Sequence, residues 1–197
     1  CGLMCNDALL REEDGVWGVT GDPMEGALVA LAMKAGLDPA HARGEWPRRD
    51  EIPFDAAHRY MATLHEGPAG EGLILVKGAP EVVLELARAS GGPWEARIAR
   101  LGAEGERVLG FAARRLPAPP DRLAPADLEE GLEFLGIMGF LDPPRREAVA
   151  AIAECRSAGI AVKMITGDHV DTAVAIGRQL GLAAEGDGRL EAMTGAE

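Results

Sequence analysis

Three short runs in this chain place groups able to handle a phosphate or a nucleotide at the ends of apolar stretches. Lys163-Met164-Ile165-Thr166-Gly167-Asp168 carries an apolar segment into a polar, glycine-containing turn ahead of a helix. In open α/β sheets ligands sit at such carboxyl ends of strands; N–H groups at the next helix start favour an anion, and the Thr166 hydroxyl adds a donor. An ordinary capped turn explains the same tripeptide, and Thr20-Gly21-Asp22 repeats it in another setting. Asp142-Pro143-Pro144-Arg145 ends a second apolar run, where two prolines fix the backbone and Arg145 presents a guanidinium suited to phosphate or carboxylate. A rigid exit into a helix is an equal reading of those residues. In Lys77-Gly78-Ala79-Pro80-Glu81 the lysine can pair with a phosphate or line an adenine pocket, and Gly78 lets a flat ligand approach the backbone. An exposed lysine before a turn is the commoner outcome. Phe54 stands out in a chain that is only 4% aromatic; its ring could stack on a purine, although filling the core is the default for a lone Phe.

Those groups need elements to hold them. Asp22-Pro23-Met24-Glu25 reads as a helix start, with Asp22 as N-cap, Pro23 at the first position and Glu25 completing a capping box. That helix is expected to run to Lys34 or Ala35 and to end at Gly36. His58 to His65 and Leu73 to Lys77 read as strands of an antiparallel hairpin across the turn from Glu66 to Gly72. A helix beginning near Pro80 and ending before Ser90-Gly91-Gly92 follows. Trp94, Ile98 and Leu101 then recur at helical spacing, and Arg107 to Leu116 is apolar enough for another strand. This half is α+β. Prolines from Pro117 to Pro125 make an extended loop, and beyond it the rhythm changes. A strand over Phe134 to Leu141, a helix over Arg145 to Ala158, a strand over Ile160 to Ile165 and a helix over Val170 to Leu180 spell a parallel βαβα run. The domain boundary falls between about residues 117 and 132, giving domains 1–125 and 126–197.

Composition narrows the function. With 197 residues, 47% of them hydrophobic, the chain can bury one good core or two modest ones. It has no apolar run long enough for a membrane helix and no leader-like start. It opens on Cys1 and stops at Glu197 without a closing element, which points to an excised piece of a longer protein. A net charge of −12 excludes a general nucleic-acid binder, which needs a basic footprint, but not a nucleotide site built from a few placed cations. Cys1, Cys5 and Cys155 fit no zinc or redox spacing and read as structural thiols in a reducing setting.

Taken in order, Cys5-Asn6-Asp7-Ala8, Gly21-Asp22-Pro23-Met24-Glu25-Gly26-Ala27-Leu28, Ile52-Pro53-Phe54 with Arg59-Tyr60-Met61, Lys77-Gly78-Ala79-Pro80-Glu81, Arg107, Asp142-Pro143-Pro144-Arg145 and Thr166-Gly167-Asp168 closely resemble P-type ATPases over nearly the whole chain. The resemblance is to the light-cation subgroup that contains calcium and sodium/potassium pumps. It implies an α/β protein overall: an α+β nucleotide-binding domain with an antiparallel sheet and flanking helices, then a partial haloacid-dehalogenase-like, Rossmann-like βαβα segment of the phosphorylation domain. It implies ATP as ligand, with Phe54 stacking on adenine, Glu25 bonding at the adenine amino group, Met61, Lys77 and Gly78 in the adenine pocket, and Leu109 beside the base. Arg59 would lie near the phosphates and Arg107 would reach phosphates or ribose. Asp142 to Arg145 would form the hinge and phosphate-proximal segment, and Thr166, Gly167 and Asp168 the loop that holds the transferred phosphoryl group. The family's phosphorylated Asp-Lys-Thr-Gly-Thr and its Gly-Asp-Gly-x-Asn-Asp magnesium motif are absent from this sequence. The resemblance therefore implies a monomeric, catalytically inactive piece that recognises nucleotide. Mg2+, the actuator domain, the membrane helices and the transported cation would belong to the intact parent. A soluble haloacid-dehalogenase-like phosphatase is the alternative; it would explain Thr166 to Asp168 but not Phe54 or Lys77 to Glu81.

Overall fold

The computed structural model describes residues 1–141, 144–166, 170–182, 190 and 192–193. In chain order the elements are β1 (Leu9–Glu13), β2 (Val16–Thr20), α1 (Pro23–Lys34), α2 (Pro39–Glu45), β3 (Arg48–Ile52), β4 (Tyr60–Glu66) and β5 (Gly72–Gly78). They continue with α3 (Pro80–Leu86), α4 (Trp94–Ala103), β6 (Arg107–Leu116), β7 (Glu133–Phe140), α5 (Arg146–Ser157) and α6 (Val170–Gln179). The chain divides into two compact units, Cys1–Glu95 with Leu109–Met138, and Ala96–Val108 with Gly139–Glu197.

In the first unit five strands form one sheet in the order β3-β4-β5-β6-β7, and the pairs from β3 to β6 are antiparallel. Alternation along these strands sends successive side chains to opposite faces. Tyr60, Ala62 and Leu64 of β4, Ile74 and Val76 of β5 and Ala112 of β6 pack on one face with Val83 of α3 and with Leu123, Leu128 and Leu132. The other face carries Met61 and Leu75, packed against Cys5. Each large aliphatic side chain buried in this way contributes about 2 kcal/mol of transfer free energy. The proline-rich stretch is thus no free tether. Leu123 is buried, its N–H donates to Asp50 Oδ2 at 2.8 Å, and a short 3-10 turn over Pro125–Leu128 leads into β7.

The helix ends follow local chemistry. Asp22 Oδ1 accepts the N–H groups of Met24 and Glu25 at 2.9 and 3.1 Å, and Pro23 sits where no intrahelical donor is needed. At the other end Gly36 takes φ +85°, and the N–H groups of Gly36 and Leu37 close on the carbonyls of Met33 and Ala32. This is the glycine stop expected at that position. The separate β1–β2 hairpin turns through Asp14 and Gly15, both at positive φ, as a two-residue turn matching strand twist requires.

In the second unit α5 and α6 occupy the places expected for helices, and each ends at a glycine of positive φ, Gly159 and Gly181. The expected strand over Ile160 to Ile165 is not formed. Those residues are irregular, with Ile160, Val162 and Ile165 exposed. No strand among the described residues pairs with them, and an unpaired strand has no partner for its N–H and C=O groups. The apolar run over residues 134–141 does form a strand, β7, but it joins the sheet of the first unit beside β6 rather than opening a parallel run. Among the described residues no helix is long and apolar enough to cross a membrane.

Candidate functional site

β5 delivers a lysine to the sheet face that holds Met61 and Leu75. Lys77 is only 6% exposed, so its ammonium is costly to keep unless a counter-charge meets it. Glu25, in the first turn of α1, supplies that charge, with Oε1 2.5 Å from Lys77 Nζ. The second carboxylate oxygen accepts the Asp7 N–H at 2.9 Å. The expected capping box is therefore corrected: Asp22 caps alone, and Glu25 turns its carboxylate to Lys77 and the Asp7 amide. A buried ammonium outcompetes a solvent-exposed helix end for a carboxylate because the unpaired charge would cost more.

Beneath this pair lies a buried framework. Asn6 is 2% exposed; its amide nitrogen donates to the carbonyls of Gly2 and Glu25 at 2.8 and 2.9 Å, and its oxygen accepts the Ala8 N–H at 2.8 Å. Arg48 of β3 reaches the carbonyls of Met4 and Asn6 with one guanidinium nitrogen and the carboxylates of Asp7 and Glu51 with another. Burial works against the charge of Arg48, but the bonds to Asp7 and Glu51 outweigh it and raise its pKa. Cys5, buried beside Met61, donates weakly to the Met61 carbonyl, and burial pushes its thiol up to about 11. It is a neutral packing group at physiological pH, in keeping with a structural thiol.

The outer part of the site is the loop between β3 and β4. It leaves the sheet at the end where β5 finishes, since Ile52 pairs with Ala62 and Tyr60 with Gly78. Phe54 sits on this loop, 64% exposed and not in the core. His58 Nε2 lies 3.2 Å from the Pro53 carbonyl, and the His58 ring is 4.4 Å from that of Tyr60. Arg59 adopts φ +56° with its N–H on the Asp55 carbonyl, its own carbonyl accepts the Ala79 N–H, and its guanidinium meets Glu81 at 2.6 Å. A Cβ on Gly78 would lie 2.5 Å from the Arg59 carbonyl and 2.7 Å from the Tyr60 Cα. The glycine is thus demanded by the neighbouring strand. Met61 is 2% exposed and belongs to the packed face with Cys5. Leu109, half-buried, stands just beyond the Gly78–Gly110 pair.

The remaining expected residues lie elsewhere. Arg107, Arg145 and Thr166 are exposed and belong to the second unit, where Arg145 precedes α5 without capping it by its side chain. Asp142, Gly167 and Asp168 fall outside the described residues. The structure therefore brings Glu25 to Lys77 and sets Gly78 and Arg59 side by side. It adds Asn6, Asp7, Arg48 and Glu81, none of which sequence reasoning places in the site. The Cys5-Asn6-Asp7-Ala8 run carries a signal for the first two, since a buried Asn next to a turn fastens backbone groups. Among the described residues no group of three or more His, Cys, Asp or Glu could hold a metal ion, so none is assigned to magnesium.

The family model described as P-type ATPase, cytoplasmic domain N, matches residues 1–147. A cation-transporting ATPase of Synechocystis is 43% identical over 198 residues, covering 95% of this chain and 22% of the relative. A calcium-transporting ATPase of Bacillus subtilis is 34% identical over 92% of this chain and 22% of its own length. The alpha-A subunit of a sodium/potassium-transporting ATPase of Artemia franciscana is 38% identical over 85% of this chain and 19% of its own length. The chain thus spans about a fifth of the length of the relatives it matches.

Proposed function

The chain belongs to the P-type cation-transporting ATPases, and from that premise we propose that it binds ATP by the adenine end within a pump that couples ATP hydrolysis to cation transport through an aspartyl phosphate. In this reading residues 1–125 are the nucleotide-binding domain, whose core also draws on Leu128 and Leu132. Residues 126–197 begin a haloacid-dehalogenase-like phosphorylation domain, and both lie on the cytoplasmic side of an integral membrane protein. The nucleophilic Asp and the magnesium ligands would come from other parts of the parent.

The observation that carries this reading is the pair between half-buried Glu25 and buried Lys77 at the sheet end from which the Phe54 loop departs. A lysine already matched by a carboxylate is poorly placed to neutralise a triphosphate. Paired with an acceptor at its side, it is suited to the polar edge of a base. Phe54 offers the exposed ring on which that base stacks, and Leu109 adds apolar contact. Arg59, whose pair with Glu81 is exposed and so can open to a phosphate, and Arg107 are the cations proposed for phosphate or ribose. Asp142, Arg145 and Thr166 to Asp168 serve the phosphoryl group in the parent, where transfer depends on positioning and charge neutralisation. The alternative phosphatase reading leaves Phe54 and Lys77 to Glu81 without a role, and the family match covers that very half.

Calorimetric titration of ATP into the chain tests the proposal. Phe54→Ala is expected to weaken binding by about 1 to 3 kcal/mol, the range for losing a base stacked on an aromatic ring. Unchanged affinity in the folded variant would overturn the assignment. Asp168→Asn should leave ATP affinity nearly unaltered. Incubation with terminally labelled ATP followed by acid quench should leave the chain unlabelled.

A further inference from the structure

We propose that Asn6 is a positioning residue for base recognition: it fixes the Glu25 carboxylate against Lys77, and so sets the preference of the site for adenine over guanine. This rests on the nucleotide-site reading above. Glu25 has a long side chain at an exposed helix start, where it could cap α1 or turn to solvent. It does neither, because two groups hold its carboxylate, the Lys77 ammonium and the Asp7 N–H. The Asp7 amide is placed by the turn around Asn6, and the single Asn6 side chain ties that turn to α1. Its amide nitrogen bonds the Glu25 backbone carbonyl as well as the Gly2 carbonyl, while its oxygen closes on the Ala8 N–H.

Two N–H donors and one acceptor on a short planar group are needed there. Aspartate lacks the donors, and alanine lacks everything. Arg48 locks the same turn from the other side through the carbonyls of Met4 and Asn6 and the Asp7 carboxylate. The result is one carboxylate and one ammonium with a fixed order in space. Adenine presents an amino donor beside a ring acceptor, matching that order, whereas guanine presents a carbonyl where adenine has its amino group. A carboxylate facing a carbonyl has no hydrogen to share, so guanine in that orientation sets one acceptor against another.

The test titrates ATP, GTP and adenosine into the chain and into Asn6→Ala, Arg48→Lys, Glu25→Gln and the Asn6→Ala/Glu25→Gln pair, each checked for folding by circular dichroism. Asn6→Ala should lower ATP and adenosine affinity alike by about tenfold, the scale of one misplaced hydrogen-bonding group, and shrink the ATP-to-GTP ratio. Arg48→Lys, the variant that carries the test if Asn6→Ala does not fold, should lower ATP affinity by about threefold and move the ratio in the same direction. In the Glu25→Gln background Asn6→Ala should cost no further affinity, since its effect passes through that carboxylate. An unchanged ATP-to-GTP ratio in the folded Asn6 and Arg48 variants, or an equal loss with and without Glu25, would overturn the proposal while leaving the nucleotide site in place. Failure of the unmodified chain to bind adenine nucleotide, or indifference to Phe54→Ala, would instead bring down the site reading and this inference with it.

Discussion

The inner and outer parts of the candidate site are built on opposite terms. The inner part, buried Lys77 and Asn6 with half-buried Glu25, is paired and tied to three separate stretches of chain. The outer part, Phe54 and the Arg59–Glu81 pair, stands in solvent on one loop and the start of one helix. Removing a group of the first kind costs stability as well as affinity, because each leaves a buried partner unmatched. Groups of the second kind can be removed at little structural cost, so their loss should register almost purely as affinity.

The hardest test of that contrast is Glu25→Ala, which strands the Lys77 ammonium and the Asp7 N–H together. It should lower unfolding free energy by about 3 kcal/mol, the scale for breaking a buried pair from one side. A urea titration giving a loss as small as a surface substitution would erase the distinction. Gly78→Ala probes the seam between the two parts, since its Cβ would collide with the Arg59 carbonyl and the Tyr60 backbone. A loss of about 2 kcal/mol by the same measurement is expected, in the range for overpacking against backbone. Phe54→Ala lies on the other side of the comparison. Its stability should stay within about 0.5 kcal/mol of the parent even as ATP binding falls, as for an exposed side chain.

A smaller effect depends on pH. His65 shares the inner sheet face with Met61 and Thr63, its ring nitrogens bonded to the Trp46 carbonyl and the Thr63 hydroxyl. Burial depresses its pKa below the ordinary 6.5, with the bond to Trp46 opposing in part. The unfolded chain then takes up the proton first as pH falls. The stabilising contribution is complete above 6.5 and is lost on acidification through the window between 6.5 and the lower folded value. Urea midpoints measured from neutral to mildly acidic pH should fall in the parent, and fall less in His65→Gln. The smallest change belongs to Glu81→Gln at the rim, where an exposed ion pair contributes about 0.5 kcal/mol at most. A larger change in thermal midpoint would place Arg59 with the inner part instead.

Features with local causes were legible in the sequence. The span of α1 follows from Asp22, Pro23 and Gly36, the β4–β5 hairpin from alternating apolar residues around a Gly- and Pro-rich turn, and α4 from Trp94, Ile98 and Leu101. The ordered motifs, from Gly21-Asp22-Pro23 to Lys77-Gly78-Ala79, were likewise enough to show the family. What the sequence left open is where side chains go once distant segments meet. Glu25 satisfies every local requirement of a capping box, yet its carboxylate serves a lysine 52 positions away because a buried charge asks more of it than a helix end does. The β1–β2 hairpin has no counterpart among the elements expected from the sequence, because its strands are almost wholly exposed and carry no core pattern. Ile160 to Ile165 has the composition of a strand and still forms none, because a strand exists only where a neighbour accepts its hydrogen bonds. Residue types and spacing determined the capped helices, the β4–β5 hairpin and the family; tertiary structure decided which further segments become strands and which side chains pair, since burial energies and hydrogen-bond pairing are properties of contacts that no single segment contains.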